Sequence, residues 1–330
     1  MTSTTASTTA DRRPGSSRRR SRRGSPSRSP WSAVLVMVSP FLVGLAVFTL
    51  YPVVTTLYYS FTNFQLGSIR PTEFVGLRNY ERLFTSSDTF WVGVRNTLWM
   101  VLIMVPLRTL YAMFAAWVVG SVRRGARVYR TLFFVPAIVP VVGASLAFIV
   151  MLSPTGPVNA LLAKVGIEGP AWFGDPQWSK PSLVLMALWA CGDTIVIFSA
   201  AMLDVPRELY EAADLDGVGR WQRYRHITLP FLSPVILFSV VTGMIYTFQY
   251  FTEAFVASGS ASAVQDSSQL LGYPGQSLLF YTTDLYQQGF VYFKTGYASA
   301  MAWMLFLVIF GATVVMLRMS RSLVHDSGRP

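Results

Sequence analysis

A chain of 330 residues that is 52% hydrophobic and 13% charged, with a mean hydropathy of +0.43, is not an ordinary soluble domain; it reads as a polytopic membrane protein. The formal charge of +11 would suit nucleic acid, but the basic residues flank apolar spans, so no nucleic-acid partner is expected. One cysteine, Cys191, excludes an intrachain disulfide.

Residues 1–30 are Ser, Thr, Pro and Arg, with eight arginines between Arg12 and Arg28, and are expected to form a disordered basic tail that fixes topology and touches anionic lipid heads. Arg12-Arg13 or Arg22-Arg23 could pass for a twin-arginine export signal. The apolar stretch that follows is too long for a signal core and shows no small-residue cleavage site. From residue 31 to 320 the pattern predicts an all-α membrane domain of six spans, about 32–57, 97–119, 131–152, 181–203, 234–257 and 297–317, then a short tail, 321–330. With the N-terminus inside, segments 1–31, 120–130, 204–233 and 318–330 hold 19 of the 27 Lys and Arg. Loops 58–96, 153–180 and 258–296 hold 7, and Arg108 lies within a span. This bias predicts a multi-pass protein of the plasma membrane with both termini cytoplasmic.

Three charged residues sit inside predicted spans. Arg108 follows Pro106 near the middle of the second span, too deep to snorkel, and its natural partner is Asp193 in the fourth span or Glu253 in the fifth. In the fifth span, Thr242, Tyr246, Gln249 and Glu253 are spaced as one helical stripe, with Tyr250 beside it. A carboxylate at that depth should face the bundle interior or a watery path. The stripe reads either as a substrate path of Tyr246, Gln249, Tyr250, Glu253 and Asp193, or as polar residues gluing helices together.

Between the fourth and fifth spans lies the longest charged interlude, residues 204–233. Pro206 suits a first helical turn; Glu208, Glu211 and Asp214 recur at spacing three, and Gly217 is a natural stop. A second segment puts Val218, Trp221, Tyr224 and Thr228 on one face and is expected to end at Pro230. Spacing alone leaves two readings open, a pair of short helices or a solvated loop. No Gly-x-x-x-x-Gly-Lys-Ser/Thr phosphate loop occurs, and His226 and His325 stand alone, so no catalytic residue, bound nucleotide or metal is expected in this chain.

Glu211-Ala212-Ala213, three residues, Gly217, nine residues, Ile227, one residue and Leu229-Pro230 resemble the EAA signature of permease subunits of binding-protein-dependent ABC importers. Gly76-Leu77-Arg78-Asn79-Tyr80, Asn96-Thr97, Arg130 to Pro136, Gly156, Asn159 and Gly296 to Ala300 are similar to segments of the carbohydrate-type members, and together the likeness covers about residues 31–320. In place of the family's Gly-Gly-Pro turn the chain has Gly259-Ser260-Ala261 and a longer loop. The resemblance implies a permease subunit without enzymatic activity. A dimer of separate ABC ATPase subunits would bind ATP and Mg, and an extracellular solute-binding protein would deliver a carbohydrate. A second permease subunit, expected to be a different chain, would complete the path. The resemblance also implies that Glu208, Glu211, Ala212, Ala213, Asp216, Gly217, Ile227, Leu229 and Pro230 couple to the ATPase. The rival expectation is a proton-coupled secondary transporter using Glu253, Asp193 and Arg108 as a relay.

Overall fold

The computed structural model describes residues 31–69, 71–85, 88–122, 125–262 and 272–320; the two expected tails, 1–30 and 321–330, lie outside them. The chain divides into Met1–Val53 and Val54–Pro330. α1 (Trp31–Leu45), in the first unit, runs through a π turn, Ala46–Leu50, into α2 (Tyr51–Ser60), which carries the chain past Val53 into the second. Pro52, which has no N–H to donate, falls in the first turn after the π turn, where the hydrogen-bond ladder changes register. The stretch Ala33–Ser60 is apolar all round, and nothing in its most apolar window is buried.

In the second unit, α3 (Arg78–Thr85) precedes α4 (Asp88–Ser121), a helix of 34 residues. At 1.5 Å per residue α4 is about 50 Å long, well beyond the ~30 Å hydrocarbon layer. Small side chains Ala112, Ala115 and Ala116 on α4 are buried and allow close packing against Cys191, Ile195 and Phe198. Then come α5 (Ala126–Ile138), α6 (Val141–Met151), α7 (Pro157–Lys164), α8 (Pro176–Trp189) and α9 (Gly192–Leu203). The chain continues through α10 (Arg207–Leu215), α11 (Arg220–Arg223), α12 (Leu229–Phe231) and α13 (Ser233–Phe248). It ends with α14 (Thr252–Ser262), α15 (Tyr281–Tyr286) and α16 (Thr295–Ser320). The only β pairing among the described residues is a bridge between Thr62 and Phe74.

Four helical stretches are long and apolar enough to cross a bilayer, and six if two bent pairs each count as one span. The expected spans 131–152 and 181–203 are these pairs, α5–α6 bent by 98° and α8–α9 by 47°. At the first bend, Pro140 forces the preceding Val139 out of the helical region, to φ −69° and ψ 130°. At the second, Gly192 lets α9 touch α5: a Cβ there would stand 2.2 Å from the Phe133 carbonyl oxygen. Gly259-Ser260-Ala261 does not turn the chain; it belongs to α14.

Three buried asparagines pin the loops. Asn79 donates to the carbonyls of Ser60 (2.9 Å) and Thr62 (2.8 Å). Asn96 donates to those of Gln276 (2.8 Å) and Leu279 (2.9 Å) and accepts from Lys180 Nζ (3.0 Å). Asn159 donates to the Pro170 carbonyl (3.1 Å) and accepts from Trp172 Nε1 (2.8 Å). Thr97 Oγ1 accepts from the Tyr281 amide, 3.0 Å away. The loop 272–280 is therefore packed inside the bundle, with Leu278, Leu279 and Phe280 buried.

Asn96→Leu leaves the buried Leu279 carbonyl without its donor and removes the acceptor of Lys180, at about 1–3 kcal/mol for a buried group left unpaired. A fall in the unfolding midpoint of the detergent-solubilised protein, larger than for the exposed Thr85→Leu, is the expected outcome. Asp284 is fully buried beside Gln288 (3.2 Å) and Thr89 (3.5 Å). Burial pushes its carboxyl above the usual range, with the two hydrogen bonds and Lys294 pulling it back. A folded pKa above the unfolded one gives stability that is present below the unfolded value and lost as pH rises through the folded one. Asp284→Asn, which cannot ionise, should match wild type at acid pH and gain on it in thermal midpoint as pH rises.

Candidate functional site

A cavity of about 620 Å3 opens between α4, α9 and α13, with Arg108, Thr109, Asp193, Thr194, Thr242 and Tyr246 in its wall. Arg108 Nη2 stands 2.9 Å from Asp193 Oδ1, which also accepts from Thr194 Oγ1 at 3.1 Å. The two side chains are 23% and 57% exposed, so the pair borders the cavity instead of sitting in a dry core. Where water fills the cavity, such a pair contributes under ~1 kcal/mol and not the several kcal/mol of a buried one.

The stripe read along the fifth span divides. Thr242 and Tyr246 line the cavity, and Tyr246 is 72% exposed. The helix then stops: Gln249 has φ −99° and ψ 16°, and α14 starts only at Thr252. Extrapolating one helical period through 249–251 therefore puts the later residues on the wrong face. Gln249 and Glu253 do not line the cavity, and Arg108 pairs with Asp193, not Glu253. Tyr250 is buried edge-on against Phe280, ring centroids 5.8 Å apart, in an apolar cluster with Leu183 and Leu278. Thr109 and Thr194, which the sequence reading passed over, lie one residue from the charged pair; their signal was adjacency to charge inside a span.

The interlude 204–233 folds as two helical segments. Pro206 caps α10, and Gly217, at φ +70°, ends it. The Gly217 amide reaches the Asp214 carbonyl (3.2 Å) and the Val218 amide the Ala213 carbonyl (3.0 Å), a Schellman closure that only glycine enters without strain. Across the turn, Arg223 pairs with Asp214, and the Tyr210 and Thr228 hydroxyls meet at 2.8 Å. Tyr224 is buried between Trp117 and Trp221. Pro230 does not end the second segment. Tyr224–Thr228 is a π turn, and α12 carries on through Pro230, whose missing N–H falls where the ladder has already shifted. Ala213 is buried, Ile227 and Leu229 are half-buried, and Glu208, Glu211, Ala212 and Asp216 are exposed. Glu211 has no ion-pair partner among the described residues; Asp214 braces Arg223 in its place.

Arg108→Leu is expected to move the thermal stability of the purified protein by under ~1 kcal/mol while lowering solute uptake. Loss on the scale of a buried pair, ~3–5 kcal/mol, would show the cavity to be dry.

Residues 108–325 match the model of the family described as binding-protein-dependent transport system inner membrane component. The chain is 35% identical over 293 residues to a probable ABC transporter permease protein, YesP, of Bacillus subtilis, covering 87% of this chain and 90% of that one. It is 31% identical over 298 residues to the arabinooligosaccharides transport system permease protein AraP of the same organism, covering 88% and 89%. The fold matches a chain in the crystal structure of a bacterial ABC transporter that imports the acidic polysaccharide alginate, with a TM-score of 0.76, 21% identity and 89% and 96% coverage. The bent helix pairs, the cavity on α4, α9 and α13 and the braced interlude α10–α11 are thus features of a membrane-embedded permease, and the chain belongs to the family of binding-protein-dependent transport system inner membrane components.

Proposed function

We propose that this permease carries a carbohydrate across the plasma membrane in an ATP-driven importer, and that α10 and α11 are its coupling element. The observation that carries the coupling role is the contrast across α10. One side is fixed to α11 and the π turn through Asp214–Arg223 and Tyr210–Thr228, while Glu208, Leu209, Glu211, Ala212 and Leu215 stand exposed. Leu215 is 90% exposed. A rigid element with an uncovered mixed apolar and acidic face suits a groove on an ATPase subunit, and small Ala212 permits close approach. Gly217, Ile227, Leu229 and Pro230 shape the turn and the return to the membrane.

In this reading an ATPase dimer binds ATP and Mg, a second permease chain supplies the other half of the path, and an extracellular binding protein delivers the solute. The distribution of basic residues supports a cytoplasmic side for 204–233 and both termini. Carbohydrate is favoured by the relative named for arabinooligosaccharides and by the cavity itself, where Thr109, Thr194, Thr242 and Tyr246 offer hydroxyls and an aromatic face beside the Arg108–Asp193 pair. Gln249, Tyr250 and Glu253 are left to helix packing and the break after α13. Against the proton relay of Glu253, Asp193 and Arg108, Glu253 is not in the wall of the cavity that holds the other two.

Gly217→Val puts a β-branched residue at φ +70°, about 1–3 kcal/mol of local strain, and Glu211→Arg reverses charge on the uncovered face. Both variants should insert normally yet lose solute-stimulated ATP hydrolysis several-fold, or fail to pull down the ATPase. Wild-type levels of both readouts in both variants would remove the coupling role.

A further inference from the structure

A second cavity, of about 500 Å3, lies where α4 and α9 end and α5 begins, beneath the α10–α11 loop. Arg130, Ser199, Tyr210, Arg220, Arg223 and Tyr224 are in its wall. Its chemistry is one-sided. Three guanidinium groups face one carboxylate, Asp214, which Arg223 already occupies. The Tyr210 and Thr228 hydroxyls satisfy each other. Two polar atoms of the wall, Arg130 Nε and Ser199 Oγ, are shielded from solvent and have no hydrogen-bond partner among the described residues. Ser199 is only 7% exposed. Folded proteins seldom leave such groups unmade, and guanidinium groups can only donate. An anion with several acceptor oxygens would serve both atoms and balance the charge of the wall.

We propose that this cavity binds a phosphate group, drawing Arg130 on α5 and Arg220 on α11 onto one anion and so bracing the loop against the membrane helices. A tetrahedral phosphate offers acceptors in several directions to guanidinium groups arriving from different helices. The rim is apolar: Leu203 is 67% exposed, and Trp117 and Met202 are half-buried. A phosphodiester with acyl chains beside such a rim is the geometry of a basic pocket between spans at the inner leaflet. Free phosphate shares the headgroup chemistry. The binding claim stands without the transport reading; only the inner-leaflet placement rests on it.

The test uses the full chain purified in detergent, with no transport assay. Thermal midpoints are recorded while titrating inorganic phosphate, and separately with micelles carrying phosphatidylglycerol or phosphatidylcholine. Wild type should be stabilised by phosphate, by phosphatidylglycerol or by both, and far less by phosphatidylcholine, whose quaternary ammonium neutralises its phosphodiester and is repelled by the guanidinium groups. A response to phosphate identifies a free-anion site, and a response to phosphatidylglycerol alone a headgroup site. Arg130→Gln and Arg220→Gln should each weaken the response on the order of tenfold in apparent affinity, the value of one charge-assisted hydrogen bond. Arg225→Gln makes the same charge change on the same loop outside the cavity and should leave the response intact. Arg220 is exposed, so its variant folds even if Arg130→Gln does not. No response to either source, or equal loss in all three variants, overturns the proposal. So does stabilisation only by an acidic segment of a partner protein.

Discussion

Backbone that leaves the helix where neither lipid nor bulk water can satisfy it must find its hydrogen bonds within the protein. This constraint explains where the polar side chains of the membrane domain are spent. The break after α13 exposes the Tyr250 carbonyl, and Thr282 Oγ1 covers it at 2.6 Å. The loop 272–280 enters the bundle only because Asn96, Thr97 and the Ser179–Ser277 contact (2.7 Å) take up its backbone and side-chain groups. Asn79 and Asn159 do the same for the loops before α4 and α8. The segments that resemble the carbohydrate-type permeases are in large part these clamps.

Once the clamps hold the breaks, the helices are free to bend, and bending opens the cavity. Pro140 turns α5 from α6, and Gly192 brings the start of α9 against the backbone of α5. Asp193, the next residue, is thereby presented to Arg108 at the cavity wall, 2.9 Å away. A charge pair reached by water costs little to separate, which would suit the proposed transport role; the same pair in a dry core would lock the helices.

At the other end of the molecule the loop is ordered by short-range contacts of the same kind. The Schellman closure at Gly217 sets the angle between α10 and α11, and Asp214–Arg223 and Tyr210–Thr228 hold it. The Trp117–Tyr224–Trp221 stack ties that loop to the end of α4, the same helix that carries Asn96 and Arg108. One long helix therefore touches the inserted loop, the ion pair and the proposed coupling element. This gives a mechanical reason for the proposed coupling between loop and cavity, and for an anion beneath the loop to stiffen it.

The sequence by itself determined what depends on composition and near neighbours. Apolar runs of bilayer length marked the stretches that the structure shows as four long apolar helices and two bent helix pairs, although α4 starts at Asp88, well ahead of the expected 97. Pro206 and Gly217 marked the ends of α10, because backbone restriction is a property of the residue. Only the tertiary structure decided what depends on where distant residues meet. The bends within two spans, the break at 249–251, the choice of Asp193 over Glu253 for Arg108 and of Asp214 over Glu211 for Arg223 all turn on packing between helices far apart in the chain. A helical period read from sequence assumes the helix continues. Where Thr282, thirty-two residues away from Tyr250, supplies the hydrogen bond that lets it stop, no local pattern records the fact.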